Sequence, residues 1–118
     1  MGTLAAITIQ ATIENVHALN VSISGSKDAV VGGLVANPTL YTTITGCSVQ
    51  NLTIDSPNAV PVGGLGGDMR TQTVVSAGYV SGDIIGLSEV GGIAGSSGQD
   101  CSITNCHINE SGIFRYNI

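Results

Sequence analysis

Apolar side chains return along this chain in columns. Ile13, Ile44, Val75 and Ile103 form one column, and Ala18, Val49, Val80 and Ile108 a second. Ile23, Ile54, Ile85 and Ile113 form a third, and Leu4, Leu34, Leu65 and Ile93 a fourth. Between them lie mostly polar sets: Glu14, Thr45, Ser76 and Thr104; His17, Ser48, Tyr79 and His107; Leu19, Gln50, Ser81 and Asn109. Alternation with a period of two marks strands that bury one face. Like residues recurring from copy to copy predict strands stacked parallel and in register, about 4.8 Å apart. The expected fold is all-β, a parallel β-helix (β-solenoid) of about four coils. Three short strands per coil and a right-handed winding are expected.

A glycine motif sets the phase of these columns. Val62-Gly63-Gly64-Leu65-Gly66-Gly67 recurs as Val31-Gly32-Gly33-Leu34-Val35-Ala36 and as Val90-Gly91-Gly92-Ile93-Ala94-Gly95, with a worn copy at Met1-Gly2-Thr3-Leu4-Ala5-Ala6. The steps Gly32 to Ile44, Gly63 to Val75 and Gly91 to Ile103 are equal, and so are Ile13 to Ile23, Ile44 to Ile54, Val75 to Ile85 and Ile103 to Ile113. Only the return varies: Ile85 to Gly91 is shorter than Ile54 to Gly63, an indel that a solenoid accepts at one corner. A single domain over 1–118 follows, with coils at roughly 1–30, 31–61, 62–89 and 90–118.

Glycine inside a strand packs nothing, so the pairs Gly32-Gly33, Gly63-Gly64 and Gly91-Gly92 imply a corner or a close backbone approach. Asn20 above Asn51 marks an arc where asparagine suits left-handed backbone and its amides form a ladder. Gly82 fits the same arc, and Glu110 breaks it in the last coil. Pro38, Asp68 and Ser96 to Gly98 are read as loop openings, and Pro57 and Pro61 as the return corner.

Composition agrees with strand and turn. Of 118 residues 17 are Gly, there is no Trp, and only three are Lys or Arg. A net charge of −5 leaves no basic face for nucleic acid or an anionic membrane. No apolar run is long enough to insert in a bilayer, and no signal peptide is expected in the sequence as it stands.

The Val-Gly-Gly-Leu-x-Gly motif followed by Ile-x-x-Cys-x-Val-x-Asn-x-x-Ile resembles the GLUG motif repeat of bacterial secreted and cell-surface proteins. The resemblance runs through essentially the whole chain and is strongest from Val31 to Ile113. It departs at Thr3, Ala36 and Gly78. It implies an extracellular or cell-surface location, adhesin-like or surface-anchored parent proteins, and in some cases a place beside a metallopeptidase domain.

Candidate chemistry is sparse. Cys47 and Cys106 share a column with Val16 and Gly78 and are expected inside as free thiols, two coils apart and about 10 Å from each other. Whether Cys101 pairs with Cys106 is left open. A metal site needs convergent ligands, and His107 should point away from Cys106, so no metal or other cofactor is expected. His17 and His107 read as surface residues, and no triad forms. Glu14, Asp28, Asp55, Asp68, Asp83, Glu89, Asp100 and Glu110 place no two acids in one column on adjacent coils, so an enzyme is not expected. The repeated glycine motif lacks the following helix and lysine of a phosphate loop.

The expected function is that of a structural or binding solenoid module of an adhesin-like protein. Its open ends suit self-stacking into a filament, or continuation into the rest of a larger surface protein. The alternatives are a carbohydrate-binding or carbohydrate-active β-helix, contacting glycans or host proteins through Tyr79, His17 and His107, and a passive spacer beside a peptidase domain.

Overall fold

The computed structural model describes residues 1–25, 29–108 and 113–116, the last of these through their backbone. Every strand pairing in it is parallel, and the strands stack into four sheets that wind a β-solenoid of about three turns. Sheet I holds Val31–Gly32, Val62–Gly63 and Val90–Gly91. Sheet II holds Ala5–Ile9, Val35–Thr39, Gly66–Met69 and Ala94–Ser97. Sheet III holds Thr12–Glu14, Thr43–Thr45, Val74–Ser76 and Ser102–Thr104. Sheet IV is built on Ser48–Asp55 and Tyr79–Gly86, flanked by His17–Leu19 and Ser22–Ile23 below and by His107–Ile108 and Ile113–Tyr116 above.

A complete coil therefore has four strands rather than three. The glycine motif is the reason, because it is split by a corner instead of forming one strand. A Cβ on Gly32 would run into the carbonyl oxygen of Val35, and one on Gly63 into that of Gly66. At the second glycine of each pair the obstacle is the next coil: a Cβ on Gly33 would strike the Gly64 carbonyl oxygen, and one on Gly64 that of Gly92. The glycines are thus required by close backbone approach. The leucine that follows turns inward, and Leu34 and Leu65 are fully buried.

This split also relocates the segment after the motif. Pro38, Asp68, Ser96 and Ser97 lie in sheet II strands, and of the expected loop positions only Gly98 follows a strand end. The sheet II strand closes on a buried threonine corner. Thr73 shares its one hydroxyl proton between the carbonyls of Arg70 (2.6 Å) and, one coil below, Pro38 (3.1 Å). Thr42 makes the equivalent bonds to Thr39 and Thr8. Each hydroxyl therefore ties two coils together while satisfying buried carbonyls.

Three of the four apolar columns stack as expected. Ile13, Ile44, Val75 and Ile103 are aligned in sheet III, and Ala18, Val49, Val80 and Ile108 in sheet IV. The leucine column is joined by backbone bonds from Leu4 to Leu34, Leu34 to Leu65 and Leu65 to Ile93. The isoleucine column needs correction. Ile23 and Ile54 are followed by Ile84, whereas Ile85 pairs with Asp55 and Ile113 with Asp83. Ile84 is fully buried and belongs to the core.

The cause is a bulge at the arc. Val80 pairs with Val49 but Gly82 pairs with Leu52, so Ser81 alone faces Gln50 and Asn51. The Asn51 N–H donates to the Ser81 hydroxyl (3.1 Å). The shortening of this coil is therefore divided between the arc and the return corner. Gly82 itself lies past the arc, with φ +136 and no room for a Cβ against the Leu52 backbone. Asn20 and Asn51 do occupy the arc with left-handed backbone (φ 58 and 53), and the Asn51 amide donates to the Asn20 side-chain oxygen at 2.7 Å. A second left-handed column stands between sheets III and IV, formed by Asn15, Gly46, Ala77 and Asn105. Asn109 and Glu110 lie outside the described residues.

Candidate functional site

The outward column of sheet IV brings together the residues expected at a contact surface. His17 pairs with Ser48, Ser48 with Tyr79, and Tyr79 with His107. The His17 Nδ1 is 2.6 Å from the Ser48 hydroxyl, which is itself buried beneath its neighbours. Tyr79 is half-buried, while His17 and His107 are exposed. Three rungs separate the histidines, about 14 Å at the strand spacing, so they are members of one surface and not partners in one reaction. Beside them Thr45 and Ser76 share a hydroxyl bond of 2.9 Å on sheet III. The result is a flat ladder of short polar groups largely occupied with one another.

The cysteines are all free thiols. Cys47 is buried, with its Sγ near the carbonyls of Ile13 and Thr45, and Cys106 sits two coils above it in the same column. Cys101 occupies the corner column of Thr42 and Thr73, its Sγ directed at the Gln99 carbonyl. That placement answers the open question of a Cys101–Cys106 pair. Among the described residues no three His, Cys, Asp or Glu side chains converge.

A concave feature of the surface lies elsewhere. A notch of about 320 Å³ opens between the return corner and sheet II, lined by Pro61, Asp68, Arg70, Glu89, Ser96 and Ser97, with Gly98 at its rim. Asp68 is 8% exposed and is held from two sides. Arg70 grips its Oδ2 through Nε and Nη2, both at 2.9 Å, and the Ser96 hydroxyl donates to Oδ1 at 2.7 Å. Ser96 stands directly above Asp68 in sheet II, so the bond is a rung-to-rung contact set by register. The Arg70 side chain remains mostly exposed. Glu89 reaches the notch from a left-handed corner residue (φ 53) and is exposed. The notch is built from stacked positions of two adjacent coils: Pro61 and Glu89 precede the paired Val62 and Val90, Asp68 pairs with Ser96, and Arg70 and Gly98 follow the paired Met69 and Ser97. What the column reading missed is that the return corner faces the end of sheet II.

The two ends of the stack form a third feature. Within a column the middle members are sealed, and in each of three columns one end member is exposed, while Ile13 and Ile93 at the opposite ends stay 8% exposed. Leu34 and Leu65 are 0% exposed but Leu4 is 49%, and Ile44 and Val75 are 0% exposed but Ile103 is 41%. Val49 and Val80 are at most 1% exposed, whereas Ile108 is 39%. What covers a core side chain here is the next rung.

No curated protein and no solved structure matches the chain. Residues 86–110, which contain the last glycine motif and the sheet III strand after it, match the family model of the GLUG motif. The chain carries a GLUG repeat, a motif found in bacterial surface proteins, on a β-solenoid that suits a structural repeat module.

Proposed function

We propose that this chain is a structural solenoid module of a bacterial surface or secreted, adhesin-like protein, and that its end rungs are covered by those of neighbouring copies stacked end to end. The observation that carries the stacking is an exposed apolar end member in each of three columns, Leu4 on the lower rung and Ile103 and Ile108 on the upper. A second copy placed one rung beyond the first would set Leu4 against Ile93, Ile13 against Ile103 and Ala18 against Ile108. It would extend the same parallel ladders, meeting apolar groups with apolar groups and unpaired strand edges with unpaired strand edges. The GLUG match supports the surface setting, since such repeats occur in bacterial surface proteins.

Negative-stain microscopy and light scattering over a range of concentrations test the stacking. Narrow filaments of uniform width are expected, with a subunit repeat of about 19 Å for four rungs. Ile103→Asp, which puts a charge on the bare upper rung, should abolish them while leaving the β-sheet circular dichroism unchanged. A native chain that stays monomeric at every concentration would overturn the stacking.

A further inference from the structure

We propose that the notch at Asp68, Arg70 and Glu89 binds one glycosyl unit of a neutral or amino sugar. Its size comes first. About 320 Å³ is at the lower end of small-molecule sites, room for a single pyranose ring with its neighbouring linkage. Its polar groups come second. The Asp68 carboxylate is buried and held rigidly by Arg70 and Ser96, so the Arg70 guanidinium is fixed in place with donors facing solvent. Among the described residues no hydrogen bond or ion pair holds the Glu89 carboxylate or the Ser97 hydroxyl, and both residues line the opening.

The site therefore presents donors from Arg70, acceptors from Glu89 and a hydroxyl from Ser97, with the buried Pro61 in its wall. A sugar ring matches that set, with hydroxyls that both donate and accept and C–H groups between them. Preorganisation favours binding, because Asp68 and Arg70 need not be ordered when the ligand arrives. Charge selects the class: with Asp68 and Glu89 against Arg70, the notch is net negative and disfavours a sugar carrying a carboxylate. Ser96 and Ser97 lie in the edge strand of sheet II, which a stacked copy would meet, so binding is measured on single chains.

The test is heteronuclear NMR on the whole chain, titrated with methyl glucoside, methyl galactoside, glucosamine and glucuronate, at a concentration where light scattering shows one constant state. At least one of the first three should shift the amide signals of Ser96, Ser97 and Gly98 and the Arg70 Nε–H. Glucuronate should bind about tenfold more weakly, the size of one like-charge contact in a partly shielded site. Glu89→Gln should weaken the neutral or amino sugar and also narrow the gap to glucuronate, a change of selectivity that simple loss of structure does not produce. Ser97→Ala, at an exposed position, should weaken binding without changing selectivity. No shift at these signals with any sugar, shifts confined to the Tyr79 face, or equal binding of glucuronate by the native chain would each overturn the assignment.

Discussion

Leu4, Leu34 and Leu65 hold one position in three successive coils, so truncating each to alanine measures what the neighbouring rung contributes. Leu34 and Leu65 are fully buried, with a rung on either side; Leu4 is 49% exposed. Removing a sealed leucine side chain loses its transfer free energy and leaves a cavity that closes only in part, together about 3–4 kcal/mol at such sites. Leu4 loses about half of a leucine's burial and leaves no closed cavity, because its lower side already meets solvent, which predicts about 1 kcal/mol. The difference is large against the 5–15 kcal/mol that holds a domain of this size together. Urea unfolding at a concentration where light scattering shows single chains provides the assay, with the slope checked for each variant so that a shifted midpoint reports stability alone. Equal losses for Leu4→Ala and Leu34→Ala under those conditions would refute the argument that the next rung is what seals each column. At concentrations where copies stack, the cost of Leu4→Ala should grow toward that of Leu34→Ala.

Two further outcomes follow from backbone geometry. Gly64→Ala drives a methyl into the Gly92 carbonyl and to 2.7 Å from Val80 Cγ1, so the coils must separate locally; a loss of about 3 kcal/mol is expected by denaturant unfolding. Gly98→Ala is its control, since there the nearest atoms begin at 3.4 Å and stability should hardly change. Ala77 is an exposed alanine with left-handed backbone (φ 53) in a column whose other members are Asn15, Gly46 and Asn105. Ala77→Asn should therefore raise stability by about 0.5–1 kcal/mol, read as a higher unfolding midpoint at constant slope.

Much of the architecture was legible because a solenoid writes its contacts into its period. Each core residue packs against its own counterparts one coil away, so Ile13, Ile44, Val75 and Ile103 announce their register, and the first three their burial. The same holds for Gly33 and Gly64, whose close approach is to the equivalent glycine in the next coil. The Asn20–Asn51 ladder was legible for a related reason, since asparagine is one of the few residues that accepts the backbone required there.

Tertiary structure alone decided where the period gives way. Matching isoleucine to isoleucine placed Ile85 in the core, but the sheet IV ladder resumes after a bulge at Ser81, and closing the shorter coil brings Ile84 inward instead. Nothing in the local chemistry of Ile84-Ile85 distinguishes the two, because both suit a strand and both are equally apolar. The left-handed corner at Ala77 was hidden in the same way, its alanine carrying no mark of the backbone that its column imposes. The stacking of Pro61 with Glu89 and of Asp68 with Ser96 follows the repeat, but that the return corner and the end of sheet II close on one notch is recorded by no spacing. Repetition determined the stack and its core; the departures from repetition, where coils of unequal length must still close on one another, were settled only in three dimensions.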